Sequence, residues 1–135
     1  MKAIPPIKAV MTPFPYWIDG EASVERARLM MAERSIRHLP VMRGGRLVSV
    51  LTEREVQLAS GETKVRDVCR MGAYVVGLSE PLDRVVLHMA EHHVGSALVV
   101  KDGKLAGIFT LTDACLCLGR LLRTLFPAGG DDAAA

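Results

Sequence analysis

The sequence predicts an α/β (α+β) protein made of two pseudo-symmetric β-α-β-β-α repeats, packed into one module with a cleft between them. Three observations predict it. Residues 7–61 laid on residues 65–119, a shift of 58 without a gap, agree in pattern. Each copy holds a helical apolar stripe followed by two strand-like runs joined at glycine. Each copy then shows Thr-x-x-acid directly after the second run, at Thr52 and at Thr110. Under the shift Val10 meets Val68, Tyr16 meets Tyr74, Arg26 meets Arg84, and Met31-Ala32-Glu33 meets Met89-Ala90-Glu91. About a quarter of positions are identical and the apolar positions coincide, so the match is one of architecture. Two copies are too few for a solenoid, but they suffice for a two-fold body whose cleft offers two related, unequal sites.

Each copy opens on a short apolar extended stretch, Tyr16-Trp17-Ile18 in one and Tyr74-Val75-Val76 in the other. A helix follows. Val24, Ala27, Met31 and their neighbours repeat at 3.6-residue spacing, as do Leu82, Val85-Val86, Met89 and Ala90. Ser79 is the expected N-cap of the second copy, with Pro81 in its first turn. Its counterpart Glu21 caps poorly, so the first copy's start slips toward Ser23. Next come paired strands. Leu39–Met42 and Leu47–Leu51 flank Arg43-Gly44-Gly45-Arg46; Ala97–Val100 and Leu105–Phe109 flank Lys101-Asp102-Gly103-Lys104. Glycine there supplies the positive φ of a tight hairpin. A second helix closes each copy, over about 53–60 and 111–126. The expected division is repeat one over 5–62, repeat two over 63–126 and a disordered tail over 127–135, where nothing can be buried. In the last helix Leu116, Leu118, Leu121, Leu122, Leu125 and Phe126 make more than one face apolar, which points to a partner helix from a second copy of the chain.

Composition narrows the function. Half of the 135 residues are apolar, enough for a sizeable core, while aromatics are scarce. The formal net charge is +2 with the arginines dispersed, which argues against a nucleic-acid surface. No apolar run approaches a membrane span, and the first residues lack a secretion signal, so a soluble cytoplasmic protein is expected. Cys69, Cys115 and Cys117 lack metal-ligand spacing and read as thiols in a reducing compartment. His88 and His92 share a helix face at i, i+4, with His93 turned elsewhere, and a solvated face fits them better than a metal. There is no nucleophile elbow, P-loop or metal-ligand cluster, so no catalytic residue and no metal site is assigned, and the protein is not expected to be an enzyme.

The repeated polar mark has two readings. Thr-x-x-Glu/Asp is a helix capping box, which alone explains Thr52 with Glu55 and Thr110 with Asp113. The same place exposes unpaired amides and the positive end of a helix dipole, where a hydroxyl and a carboxylate can hold a polyol such as ribose.

Together these marks resemble the cystathionine-β-synthase-type (CBS) domain, present as a tandem pair over about residues 5–123. The pieces that carry the resemblance are Ala9-Val10-Met11-Thr12-Pro13, Ile36-Arg37-His38-Leu39-Pro40-Val41, Leu47–Thr52, Val94–Val100 and Gly107–Asp113, all in order. The resemblance implies a regulatory module that binds an adenosine ligand between the repeats: AMP, ADP or ATP, with magnesium only beside ATP, or S-adenosylmethionine. It also implies a disc-like homodimer and energy sensing toward a regulated protein whose identity is unknown. Carried over by residue, Thr110 and Asp113 would hold ribose. Val94, Gly95 and Ser96, with the 69–74 stretch that includes Cys69 and Tyr74, would line the base pocket. Arg37 and His38 would meet phosphates, His38 more strongly in mild acid. The related site would use Thr52, Glu55, Arg54 and Tyr16. It departs from the family pattern, since Glu55 stands for aspartate and Gly95-Ser96 for the basic pair, so it should be weak or empty. The alternative is a ligand-free dimerisation or interaction module in which both threonines only cap helices.

Overall fold

A computed structural model describes residues 3–69 and 72–127 of the chain. Beyond Pro127 the expected tail lies outside the described residues, as do residues 70 and 71 of the 69–74 stretch.

The two halves repeat one plan. In the first, strand β2 (Ile18–Asp19) leads to helix α1 (Val24–Arg34), strands β3 (His38–Arg43) and β4 (Arg46–Thr52), and helix α2 (Glu53–Leu58). In the second, β5 (Val75–Gly77) leads to α3 (Leu82–His92), β6 (Ser96–Lys101), β7 (Lys104–Thr110) and α4 (Leu111–Leu125). An earlier short strand, β1 (Thr12–Pro13), precedes both. The sheets run β2-β3-β4 and β1-β7-β6-β5, with β2 parallel to β3 and β5 parallel to β6 across their helices. Both hairpins turn on two residues of positive φ, Gly44 (56°) with Gly45 (79°) and Asp102 (51°) with Gly103 (76°). That is the turn whose twist matches paired strands. Even the irregularities coincide, since the register shifts between Val41 and Met42 and between Val99 and Val100.

Each half has its own core. Val24, Ala27 and Met31 of α1 pack on Leu39, Val41 and Leu51; Val85 and Met89 of α3 pack on Ala97, Val99 and Phe109. Ser23 caps α1 by accepting from the Arg26 N–H at 3.1 Å. The expected Ser79 cap is corrected: the N-cap of α3 is Pro81 and no side chain caps it. The first free N–H, of Leu82, is instead satisfied by the carbonyl of Pro5 at 2.9 Å.

That bond belongs to an exchange between the halves. Ile7, in the opening segment of repeat one, is fully buried in the second core. Its N–H donates to the Glu80 carbonyl at 2.8 Å, that of Lys8 donates to Leu78 at 3.1 Å, and β1 pairs antiparallel with β7. Shifted by 58, the same contacts recur in reverse. Val65 is fully buried in the first core, its N–H donates to Ala22 at 2.8 Å, and that of Val24 donates to Thr63 at 2.8 Å. Lys64 and Arg66 clamp this arm through Glu21, at 2.8 and 2.7 Å, and the hydrogen bond from Lys64 leads the effects that hold the Glu21 carboxyl below its usual range. Each copy therefore lends its first residues to the other copy's core.

Candidate functional site

Both Thr-x-x-acid marks form capping boxes. Thr52 Oγ1 accepts from the Glu55 N–H at 3.3 Å, while Glu55 Oε1 accepts from the Thr52 N–H at 2.9 Å and its hydroxyl at 3.1 Å. Thr110 and Asp113 repeat this, with Asp113 Oδ2 accepting at 2.8 and 3.1 Å. A carboxylate held this way is fixed at the head of its helix.

The segments that lead into β3 and β6 meet these helix heads. The Arg37 carbonyl accepts from the Glu53 N–H at 2.9 Å, and the Gly95 carbonyl accepts from the Leu111 N–H at 3.1 Å. In the strand ladders His38 lies opposite Thr52, and Ser96 lies opposite Thr110. The two lead-in segments touch across the pseudo-two-fold, where the His38 ring lies against Gly95.

Beside that contact a cavity of about 420 Å³ opens between the repeats. His38, Tyr74, Val94, Gly95 and Ser96 line it, together with Thr52, Arg54 and Glu55. It thus gathers most of the residues first assigned with Thr110 and three of those assigned to the related site. Thr110, Asp113, Arg37, Cys69 and Tyr16 are not among its lining residues. Cys69 packs half-buried on the first core. The Arg37 side chain is 81% exposed, with Nε 3.8 Å from Glu53. Tyr16 is half-exposed beneath the Arg34 guanidinium, 4.6 Å from the ring centroid.

Sequence reasoning missed His93, Leu58 and Val50 as lining residues, whereas Gly72 and Ala73 fall in the 69–74 stretch it assigned to the pocket. The signal for the missed ones was the repeat: His93 corresponds to Ser35, and both end their helices at φ 53°. It also missed a ring stack. Tyr74 lies on His88 with centroids 3.8 Å apart, and His88 lies on His92 at 4.0 Å. Among the described residues no group of three or more His, Cys, Asp or Glu is placed to hold a metal. Nor is any described helix long and apolar enough to cross a membrane.

The cavity's electrostatics follow from burial. Desolvation, then the Arg37 charge, push the His38 imidazole below its ordinary pKa, with Glu53 opposing. Desolvation, then Glu80, raise the Tyr74 phenol, which stays a hydrogen-bond donor. His38 thus binds protons more weakly folded than unfolded. Its contribution to stability is complete above the unfolded pKa of about 6.5, and is lost as pH falls through that value toward the lower folded one. Urea midpoints measured from pH 7.5 to 5.5 should fall more steeply in the natural chain than in His38→Gln; parallel curves would contradict the assignment.

With this geometry in view, the family is clear. The family model described as "CBS domain" matches residues 7–62 and again residues 65–119. The chain belongs to the CBS domain family and carries two copies of the domain. It is 34% identical over 98 residues to an inosine-5'-monophosphate dehydrogenase of Korarchaeum cryptofilum, a match covering 71% of this chain and 21% of that one. The chain thus spans about a fifth of the curated relatives it matches. Among solved structures, the CBS domain pair of protein MJ0100, in complex with 5-methylthioadenosine and S-adenosyl-L-methionine, superposes with a TM-score of 0.82 at 23% identity, covering 88% of this chain and 99% of that one. CBSX2 in complex with AMP superposes with a TM-score of 0.77 at 23% identity, with the same coverage. These structural likenesses establish the fold.

Proposed function

We propose that this CBS pair is a regulatory module, not an enzyme, that binds an adenosine-type ligand between its repeats and passes occupancy to a regulated protein in trans. One observation carries the reading: the 420 Å³ cavity brings a Thr-x-x-acid helix head, an arginine and a histidine to the same walls as Tyr74, Val94 and Gly95. Polar groups converging on a partly apolar cleft are what a nucleoside with an anionic tail requires. The complexes of MJ0100 with S-adenosyl-L-methionine and of CBSX2 with AMP support that ligand class. AMP, ADP and ATP are the first candidates, with S-adenosylmethionine as the alternative. Thr110 and Asp113, with Arg37 and Tyr16, form the related position across the pseudo-two-fold. The module works in the cytoplasm as a homodimer joined through α4.

A second reading has its own support. Both capping boxes are complete without a ligand, so the pair also reads as an interaction module alone. Thermal unfolding with AMP, ADP, ATP, S-adenosylmethionine and NAD separates the two. A ligand at a hundred times its dissociation constant stabilises by about 2.7 kcal/mol, which raises Tm by several degrees. A selective rise that disappears in Arg54→Ala supports the cleft; disappearance only in Asp113→Ala moves the ligand to the related position. No rise with any of them favours the interaction module.

A further inference from the structure

The shift of 58 sets two tyrosine contacts side by side. Tyr16 corresponds to Tyr74, Met30 to His88 and Arg34 to His92. In the first repeat the Arg34 guanidinium lies over the Tyr16 ring, 4.6 Å from its centroid. In the second repeat two imidazoles take the same route from the last turn of the helix to the tyrosine. His88 lies on Tyr74 with ring centroids 3.8 Å apart and planes 19° from parallel, and His92 lies on His88 at 4.0 Å and 18°. Each repeat thus braces its tyrosine from the end of the helix that follows it. The brace is a permanent cation in one repeat and a pair of titratable rings in the other.

The stack has one fixed end and one end on the cavity. The His92 Nδ1–H donates to the His88 carbonyl at 3.1 Å, which leaves Nε2 as the atom that takes up a proton. His92 can therefore become charged without leaving its place. At the other end, Tyr74 lines the cavity between the repeats. His88, half-buried, is held between the two ring faces. Among the described residues no carboxylate forms an ion pair with either imidazole. The other charges around the stack are few. Arg84 and Glu91 lie one turn from His88 on α3, and Glu80 acts on Tyr74 from just before that helix. The arm at the start of α3 carries Lys8, β6 carries no charge before Lys101, and Asp113 of α4 is fixed in its capping box. His38, Arg54, Glu55 and His93 share the cavity wall with Tyr74.

We infer that the Tyr74–His88–His92 stack is a proton-operated brace on the cavity wall, closed when its imidazoles are neutral and opened in acid, whereas its counterpart, Arg34 on Tyr16, does not respond to pH. Neutral rings gain from stacking, but two imidazolium rings with centroids 4.0 Å apart repel each other. Imidazoles change charge between about pH 5 and 8, so the repulsion arises within that range. His92 is tethered, so the ring that departs is His88, and Tyr74 loses the surface it rests on. Acid therefore loosens one tyrosine and leaves its counterpart as it was. The inference needs no ligand and stands or falls apart from the reading of the cleft as a ligand site.

The test is proton NMR of the whole chain from about pH 7.5 to 5, following the ring protons of both tyrosines. As pH falls, Tyr74 should lose its nuclear Overhauser contacts with His88 and the upfield displacement caused by the stacked ring, while the Tyr16 signals hold. His92→Gln, an exposed change that removes one of the two charges, should keep the Tyr74–His88 contacts to the lowest pH. His88→Met, which copies the residue of the first repeat, should make the Tyr74 signals independent of pH. His38→Gln should leave the Tyr74 response as it is in the natural chain, which separates the stack from the other imidazole of the cavity. Tyr74 signals constant with pH in the natural chain overturn the inference. So does the same loss in His92→Gln, or a loss abolished by His38→Gln. Collapse of the Tyr16 signals together with those of Tyr74 overturns it as well, since the chain then unfolds as a whole.

Discussion

Ile7→Ala should destabilise the protein by about 2–5 kcal/mol, the range for emptying a fully buried isoleucine site, and lower Tm on the order of 10 °C. The reason is position more than size. Ile7 is fully buried among Val76, Val85, Met89 and Phe109, although its own repeat builds the other sheet. Removing it loosens the arm whose Pro5 carbonyl serves the start of α3 and whose β1 edges β7. The loss should therefore be felt first in the second half. Hydrogen exchange read by segment checks this: amides of α3 and β7 should lose protection before those of α1 and β3. Equal loss in both halves, or a destabilisation below about 1 kcal/mol, would show that the arm only rests on the surface.

A second large effect is expected on assembly. Leu118→Glu with Leu122→Glu should convert a dimer to a monomer, read by light scattering at micromolar concentration. Leu118, Leu121, Leu122 and Leu125 fall at i, i+3, i+4 and i+7 along α4, and each is about half exposed in the single chain. No residue of α4 is buried, and Phe126 beyond it is 72% exposed, so the helix leaves a continuous apolar strip. A dimer untouched by the double substitution would remove α4 from the interface, and a natural chain that is monomeric would remove the dimer.

Much of the fold was legible because duplication presents each signal twice. The hairpins were readable from Gly44-Gly45 and Asp102-Gly103, and the helices from Val24–Met31 and Val85–Met89. Ser23 was readable because its rival Glu21 caps poorly. Ser79 misled for a physical reason. An N-cap is read from nearby side chains, whereas the N–H of Leu82 is satisfied by Pro5, far away in sequence. The exchange of arms escaped the same way. Ile7 and Val65 are apolar in either half, and a comparison of repeats cannot say which core each one enters. The site was legible in its members and not in their grouping. His38, Tyr74, Val94, Gly95 and Ser96 were all named, but which helix head they face depends on how the halves pack, and that information is absent from local sequence.

The reciprocal arms also bear on whether one copy can stand alone. A lone copy of such a repeat owns both an arm and the slot an arm fills, yet cannot join its own. Left single, it has a strand without a ladder and a core with a vacancy, and both faults vanish when two copies trade arms. A single copy expressed alone should therefore complete itself only by trading arms with a second chain. Carrying both copies on one chain fixes the effective concentration of each arm at its slot, independent of protein concentration. Linkage also lets the copies differ, as they do where Arg37 of one corresponds to Gly95 of the other.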